Sequence, residues 1–360
     1  MKKVISIICV IIVMIAVVVG TLLGFLTMDE YKPKDIESLE IIGNSVDRVK
    51  KQETTRLLSW NLGYGALGDN ADFFMDGGKM VYTADEDRVV YNLEGFISEF
   101  EKISPDIICT QETDRNSDRS HFIDEVDYFF SNSGLRVLHG NSVFAPNLKV
   151  SFIPLPVPPI GKVYSGLMTF SKYNISSAQR LQLPCPFKWP LRTFNLKRCL
   201  EVVRFNVVDT DKELVVINLH LEAYDSGEGK IAQANMLKEV LDAEVEKGNY
   251  VIACGDFNQV FSNIDVSAYP VLEGKWEAGR IDVSDFSSDL TFSADNSVPS
   301  CRSLDQPLDK ASEKDPEHFQ YYVIDGFITS SNVEVESVYT DDLSFVHSDH
   351  NPVILEFKLK

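Results

Sequence analysis

The feature that most limits what this chain can fold into is a set of six strand-like apolar runs, each carrying residues of catalytic type at or beside one end. The first is Leu57-Leu58-Ser59-Trp60-Asn61 and the second runs from Pro105 through Ile107-Ile108-Cys109 to Gln111-Glu112. The third, Leu214-Val215-Val216-Ile217-Asn218-Leu219-His220-Leu221, is followed by Tyr250-Val251-Ile252-Ala253-Cys254, which leads into Gly255-Asp256-Phe257-Asn258. The fifth, residues 321–328, holds Asp325, and the sixth, Val353-Ile354-Leu355-Glu356-Phe357, follows His347-Ser348-Asp349-His350-Asn351-Pro352. Their β-branched and aromatic content marks them as strands. Polar ends on buried strands place chemistry-bearing groups where a sheet meets solvent.

Two amphipathic helices lie between these runs. Val90, Leu93, Phe96, Ile97, Phe100 and Ile103 recur at helical spacing over 87–103, and Ile231, Ala234, Leu237, Leu241 and Val245 do so over 229–247, ahead of Gly248. Alternation of strand and helix predicts a layered α/β protein rather than an all-β one. At 360 residues and 44% hydrophobic composition one large domain fits. A single domain is expected because the polar strand ends must meet.

Residues 4–26 are apolar without a charge, preceded by Lys2-Lys3 and followed by Asp29-Glu30. The length suits a membrane-spanning helix of about 20 residues, and the flanking charges put the N-terminus in the cytoplasm and the body outside. A cleaved signal peptide is the rival reading, but such cores are shorter, about 7–15 residues, and end at a small-x-small site. The expected organisation is a membrane anchor over 1–28, a polar stalk over 29–53 and a catalytic body over 54–360, in a single-pass protein of the cell membrane. The net charge of -20 excludes a general basic surface for nucleic acid. A metal ion can still supply positive charge locally.

Hydrolysis of a phosphate ester needs a divalent metal on hard oxygens, a base for water, and donors for the developing charge. Glu112 suits the metal, with the Asn61 amide beside it. His350 offers a base near neutral pH, with the Asp349 carboxylate next to it. Asp325 would hold an imidazole in its useful tautomer. His220 would donate to a phosphoryl oxygen, and Asp256 and Asn258, alternating at a strand end, would point the same way. Taken singly, each has an ordinary structural explanation, such as a turn or a satisfied core histidine. Their shared placement at strand ends argues for a joint role.

Trp60-Asn61, Gln111-Glu112, Asn218-Leu219-His220-Leu221, Gly255-Asp256-Phe257-Asn258, Ile324-Asp325-Gly326-Phe327 and Ser348-Asp349-His350 together resemble the motif series of the endonuclease/exonuclease/phosphatase superfamily. The resemblance runs from Leu57 to Leu359. It implies a four-layered α/β sandwich with two packed mixed sheets flanked by helices, and magnesium-dependent attack of water on a phosphorus ester, with manganese as the alternative metal. Residue by residue, it implies that Glu112 binds the metal supported by Asn61, with Asp349 beside the metal. His350 would be the general base oriented by Asp325. His220 and Asn258 would stabilise the transition state, and Asp256 would serve the nucleophile or leaving group. The implied substrates are a lipid headgroup, an inositol phosphate or a nucleic acid, and no protein partner is inferred. The strand 165–173 is similar to the sphingomyelinase branch.

Other readings complete the picture. An extracellular nuclease would carry the same catalytic set. So would an inactive binding protein of the same fold, except that its signature, a lost motif residue, is missing. Of the six cysteines, Cys9 lies in the apolar run and Cys109 and Cys254 in strands; a Cys185–Cys199 bridge has no further support, and the spacing matches no zinc pattern. The proline-rich segment 152–160 cannot be a central strand, and it suits a packed surface loop, a groove wall or a membrane contact. Residues 262–320 form a long excursion near the site mouth. Arg192, Lys197, Arg198 and Arg302 are the basic residues to examine for phosphate contacts, surface solvation being the ordinary fate of each.

Overall fold

The computed structural model describes residues 2–225, 227–308 and 319–360. The chain opens with α1 (Lys2–Asp29), then β1 (Ile36–Ser38), β2 (Ile41–Gly43), β3 (Thr55–Asn61), α2 (Glu86–Ile103), β4 (Ile107–Asp114), α3 (Glu125–Asn132), β5 (Asn141–Ile153), β6 (Gly161–Ser171) and β7 (Ile175–Gln182). It continues through β8 (Cys199–Asn206), β9 (Glu213–His220), α4 (Glu228–Glu246), β10 (Tyr250–Asp256), β11 (Gln259–Phe261), β12 (Gly279–Ile281), β13 (Leu290–Ser293) and β14 (Cys301–Arg302). It ends with β15 (Tyr321–Tyr322), β16 (Asp325–Ser330), β17 (Val333–Thr340) and β18 (Val353–Leu359).

Two seven-stranded sheets form, ordered β1-β7-β8-β9-β10-β16-β13 and β17-β18-β3-β4-β6-β5-β2. Each is mixed, with one parallel pair at its heart: β9 with β10, and β3 with β4. Successive residues of a central strand enter different cores, which is why these strands read as continuous apolar runs. Leu57 joins a cluster with Val216, Ile252 and Leu355 between the sheets. Its neighbour Leu58 packs with Phe96, Phe100 and Phe129 beneath α2 and α3. A third cluster seats Leu237 and Leu241 of α4 on Val215, Ile217 and Val251. Helix, sheet, sheet, helix is the four-layered α/β sandwich the motif series implied.

α2 starts where Asp85 accepts a hydrogen bond from the Arg88 amide, and α4 gives way to Gly248 at a positive φ of 77°. α1 spans 28 residues, about 42 Å at about 1.5 Å per residue, long and apolar enough to cross a membrane.

Three expectations change. Residues 29–53 do not behave as a free stalk: β1 extends one sheet along β7, β2 extends the other along β5, and Val49 is fully buried. Strands this short carry no readable period, and their order comes from pairing with a pre-formed edge. The run 321–328 splits, so that Asp325 begins β16 rather than lying inside a strand. The excursion over 262–320 contributes β13 to a main sheet, and its residues 309–318 lie outside the described residues. All six cysteines are free, Cys185 and Cys199 included. The proline-rich residues 154–160 form the connection between β5 and β6.

Candidate active site

Parallel pairing explains why the polar ends meet. Strands that run the same way end on the same side, so Asn61, the last residue of β3, is registered with Gln111 in the second half of β4, and Asp256 with His220 at the ends of β10 and β9. β16 runs antiparallel to β10, so its first residue, Asp325, faces the last residue of β10, Asp256. Six separate polar ends thereby converge on one cleft between the sheets.

Local backbone then aims the side chains. The register between β4 and β6 shifts between Thr110 and Thr113, and Glu112 at this bulge has φ 53°, the kind of irregularity that turns a side chain out of the strand's alternation. Asn61 Nδ2 donates to Glu112 Oε1 and to Asp256 Oδ2, both at 3.1 Å, while its Oδ1 accepts from the Gly63 amide. Asn61 therefore meets Glu112 through its NH2 group. Asn258 has φ 51°, so a left-handed turn, rather than strand alternation, brings it to the site beside Asp256. Its amide N–H donates to Asp256 Oδ1 at 2.8 Å and its Nδ2 to the Leu221 carbonyl at 2.9 Å.

The two imidazoles flank Asp256. His220 Nε2 lies 3.4 Å from Asp256 Oδ2 and its Nδ1 4.0 Å from Glu112 Oε1. His350 Nε2 lies 3.7 Å from the same Asp256 oxygen and 4.0 Å from Asp349 Oδ2, while its Nδ1 is 2.8 Å from Asp325 Oδ2. The His350 backbone is pinned as well, because Trp60 Nε1 donates to its carbonyl at 2.8 Å and Ser348 Oγ to the Asn61 carbonyl at 2.8 Å.

Burial lowers both imidazoles, and unequal charged neighbours then drive them apart. His220 is held well below its ordinary pKa by desolvation, then by Arg198 and His350. Burial by itself would lower His350 too, but Asp325, followed by Cys301 and Asp256, outweighs it and raises the imidazole well above its ordinary value. Such a split is how neighbouring titratable groups acquire different acid-base roles. Burial pushes Asp256 up to about 7, with Asp325 adding to the rise, and Asp349 up to about 6, with Glu112 adding.

Glu112, Asp256 and Asp349 bring hard carboxylate oxygens to one cavity, a donor set that fits a divalent cation such as magnesium. Among the described residues, Asp256–Asp325–His350 and Cys301–Asp349–His350 each bring ligand atoms within 4.8 Å of one another. The Cys301 thiol, pushed up to about 12 by burial, stays protonated and is a poor ligand for a hard metal.

A cavity of about 450 Å³ opens over these groups and is lined by Glu112, His220, Asp256, Asn258, Asp349 and His350. Arg198 and Arg302 also line it; Arg198 is braced by Glu222 at 3.3 Å. Arg192 and Lys197 do not, and instead pair with Glu30. Asn61 and Asp325 stand behind the lining residues. The sequence reading missed Ser300, whose Oγ donates to Asp325 Oδ2 at 2.7 Å. A lone serine in a long loop carries no signal, and it arrives only because the chain around it pairs with 349–351. Also missed was Tyr224, which lines the cavity and donates to Asp76 at 3.0 Å; its place four residues after His220 was the available hint.

A family model described as the endonuclease/exonuclease/phosphatase family matches residues 58–350. No curated protein matches the chain. Among solved structures, an endonuclease/exonuclease/phosphatase from Beutenbergia cavernae superposes with a TM-score of 0.54 at 17% identity, over 86% of this chain and 72% of that one. One from Bacteroides vulgatus gives 0.50 at 12% identity, over 86% and 100%. TDP2 from D. rerio, complexed with single strand DNA product, gives 0.50 at 13% identity, over 85% and 100%. At these identities the likeness establishes the fold.

Proposed function

This chain belongs to the endonuclease/exonuclease/phosphatase family, metal-dependent hydrolases of phosphoester or nucleic acid substrates, and on that premise we propose that it is a membrane-tethered, magnesium-dependent phosphoric ester hydrolase acting outside the cytoplasm. The observation that carries the reading is the convergence of Glu112, His220, Asp256, Asp349 and His350 on one cavity, with His350 backed by Asp325. α1 would be a retained anchor, oriented by Lys2-Lys3 on the cytoplasmic side.

Glu112 and Asp349 would hold the cation, which when bound supplies a water of lowered pKa and charge stabilisation at the phosphoryl oxygens. Asn61 keeps Glu112 in place by hydrogen bonding. His350, in its neutral form, takes the proton of the attacking water at Nε2, and Asp325 at Nδ1 fixes its tautomer and stabilises the imidazolium that results. Neutral His220 donates to a phosphoryl oxygen, and Asn258 adds a donor on the same side. Asp256, between the two imidazoles, receives or returns a proton at the nucleophile or leaving group.

The acidic surface and the cavity wall favour a phosphoester with an apolar portion over nucleic acid. Leu148, Ile153, Ile160, Phe187, Phe194 and Leu196 make one side of the cavity apolar, as suits a lipid or another amphiphilic ester. The DNA product in the D. rerio TDP2 complex keeps a nuclease as the second reading. The test is hydrolysis by the full chain of sphingomyelin, inositol phosphates and plasmid DNA in parallel, with magnesium and with chelator. Chelator-sensitive cleavage of the lipid is expected. Cleavage of DNA alone would replace the substrate class, and silence on every phosphoester would favour an inactive binding protein.

A further inference from the structure

α1 does not hand over to a flexible linker. Thr27 Oγ1 accepts a hydrogen bond from Trp189 Nε1 at 3.1 Å, and the Asp29 carboxylate accepts from the Ser151 amide at 2.6 Å and hydroxyl at 2.7 Å. Buried Glu30 pairs with Arg192 at 3.3 Å and Lys197 at 3.4 Å. Helix end, β5 and the turn at 191–194 are therefore one rigid joint, and whatever surrounds the end of α1 also surrounds its neighbours.

Those neighbours are apolar and uncovered. Leu155 and Val157, at the tip between β5 and β6, are 57% and 87% exposed, and Trp189 and Leu191 are 51% and 53% exposed. Residues 152–160 contain no charge, while Lys188 and Arg192 flank Trp189 and Leu191 in a protein whose net charge is -20. Apolar tips and an interfacial tryptophan are what the headgroup level of a bilayer accommodates. These two segments and the residues that flank them supply apolar cavity wall through Ile153, Ile160, Phe187 and Phe194.

We propose that residues 154–159 and 186–192 dock into the outer surface of the bilayer that α1 crosses, so that the catalytic cavity opens onto its headgroups. The occupant of this surface is that bilayer, because the patch is continuous with the end of the span and joined to it by side-chain hydrogen bonds. A phosphoester lipid then reaches Glu112 and His350 by rising from the leaflet, its apolar portion remaining against the cavity wall. This proposal rests on the reading of α1 as a retained anchor and of the cavity as a hydrolase site.

The experiment places the full chain in phosphatidylcholine nanodiscs with lipids brominated near the headgroup, and reads tryptophan fluorescence. Subtracting a Trp189→Phe variant isolates Trp189, and Val157→Trp in that background reports on the other loop. Both signals should lose most of their emission to brominated lipid. Adding Leu155→Asp to the position-157 reporter should restore its emission, whereas Leu155→Asp in the chain that keeps Trp189, tied to Thr27, should leave Trp189 quenched. An embedded chain whose position 157 keeps its full emission overturns the docking proposal and leaves the anchor standing. A chain that does not embed overturns the anchor, and the docking with it.

Discussion

Asp325 and His350 meet across the gap between the two sheets, Oδ2 to Nδ1 at 2.8 Å, one from the first residue of β16 and the other from the loop that precedes β18. Ser300 Oγ donates to the same carboxylate oxygen, and the ring is further held by the Trp60 contact to its backbone. The pair is therefore a positioned unit supplied by segments distant in sequence.

Asp325→Asn should lower kcat by about a hundredfold to ten-thousandfold with little change in KM. The carboxylate is the largest influence holding the His350 pKa up, so its loss lets that pKa fall. His350 works as a base when neutral, and the acid limb of the pH-rate profile should accordingly move to lower pH. A profile that stays in place would remove Asp325 from this role.

Glu112→Ala and His350→Ala should each remove activity by about a hundredfold or more while leaving the circular dichroism spectrum unchanged. Chelator should abolish wild-type activity, and added magnesium restore it. Full turnover in either folded variant would refute the site assignment.

Glu201 is fully buried between the sheets, where its Oε2 accepts from Thr169 at 2.6 Å and Asn218 at 3.1 Å. Burial pushes its carboxyl up to about 8, against those two hydrogen bonds. The folded-state value lies above the unfolded one, so the group's stabilising preference is fully present below about pH 4.3 and is lost as pH rises through about 8. Glu201→Gln should flatten that segment of the melting temperature against pH. An unchanged slope would mean that Glu201 is ionised at neutral pH in the folded protein.

A body cut at Glu53 should be less stable than one cut before Glu30, although the polar composition of 29–53 suggests otherwise. The shorter body loses an edge strand from each sheet and the fully buried Val49, whose burial alone is worth about 1.5–3 kcal/mol. Thermal unfolding of the two bodies compares them directly, and equal midpoints would make the segment dispensable.

What was legible in the sequence was local. Strands that alternate between two apolar cores declare themselves as unbroken apolar runs, and helices declare themselves by their 3.6 period, which is why 87–103 and 229–247 fall within a residue of α2 and α4 at either end. The polar strand ends were visible because each interrupts an apolar run. Ser300, Tyr224 and the paired strands β1 and β2 left no such mark, since an isolated polar residue or a three-residue strand has no period to read.

By itself the sequence determined the kinds of element, the polar residues at their ends and the uncharged apolar span at the N-terminus, all of which follow from side-chain spacing along the chain. The tertiary structure alone decided that two parallel pairs would bring those ends to one side. It also decided that His220 and His350 would be driven apart in pKa by unequal neighbours, and that the segment after α1 would be woven into both sheets. These outcomes depend on burial and on partners far apart in the chain, whose energies are defined only once the layers have packed.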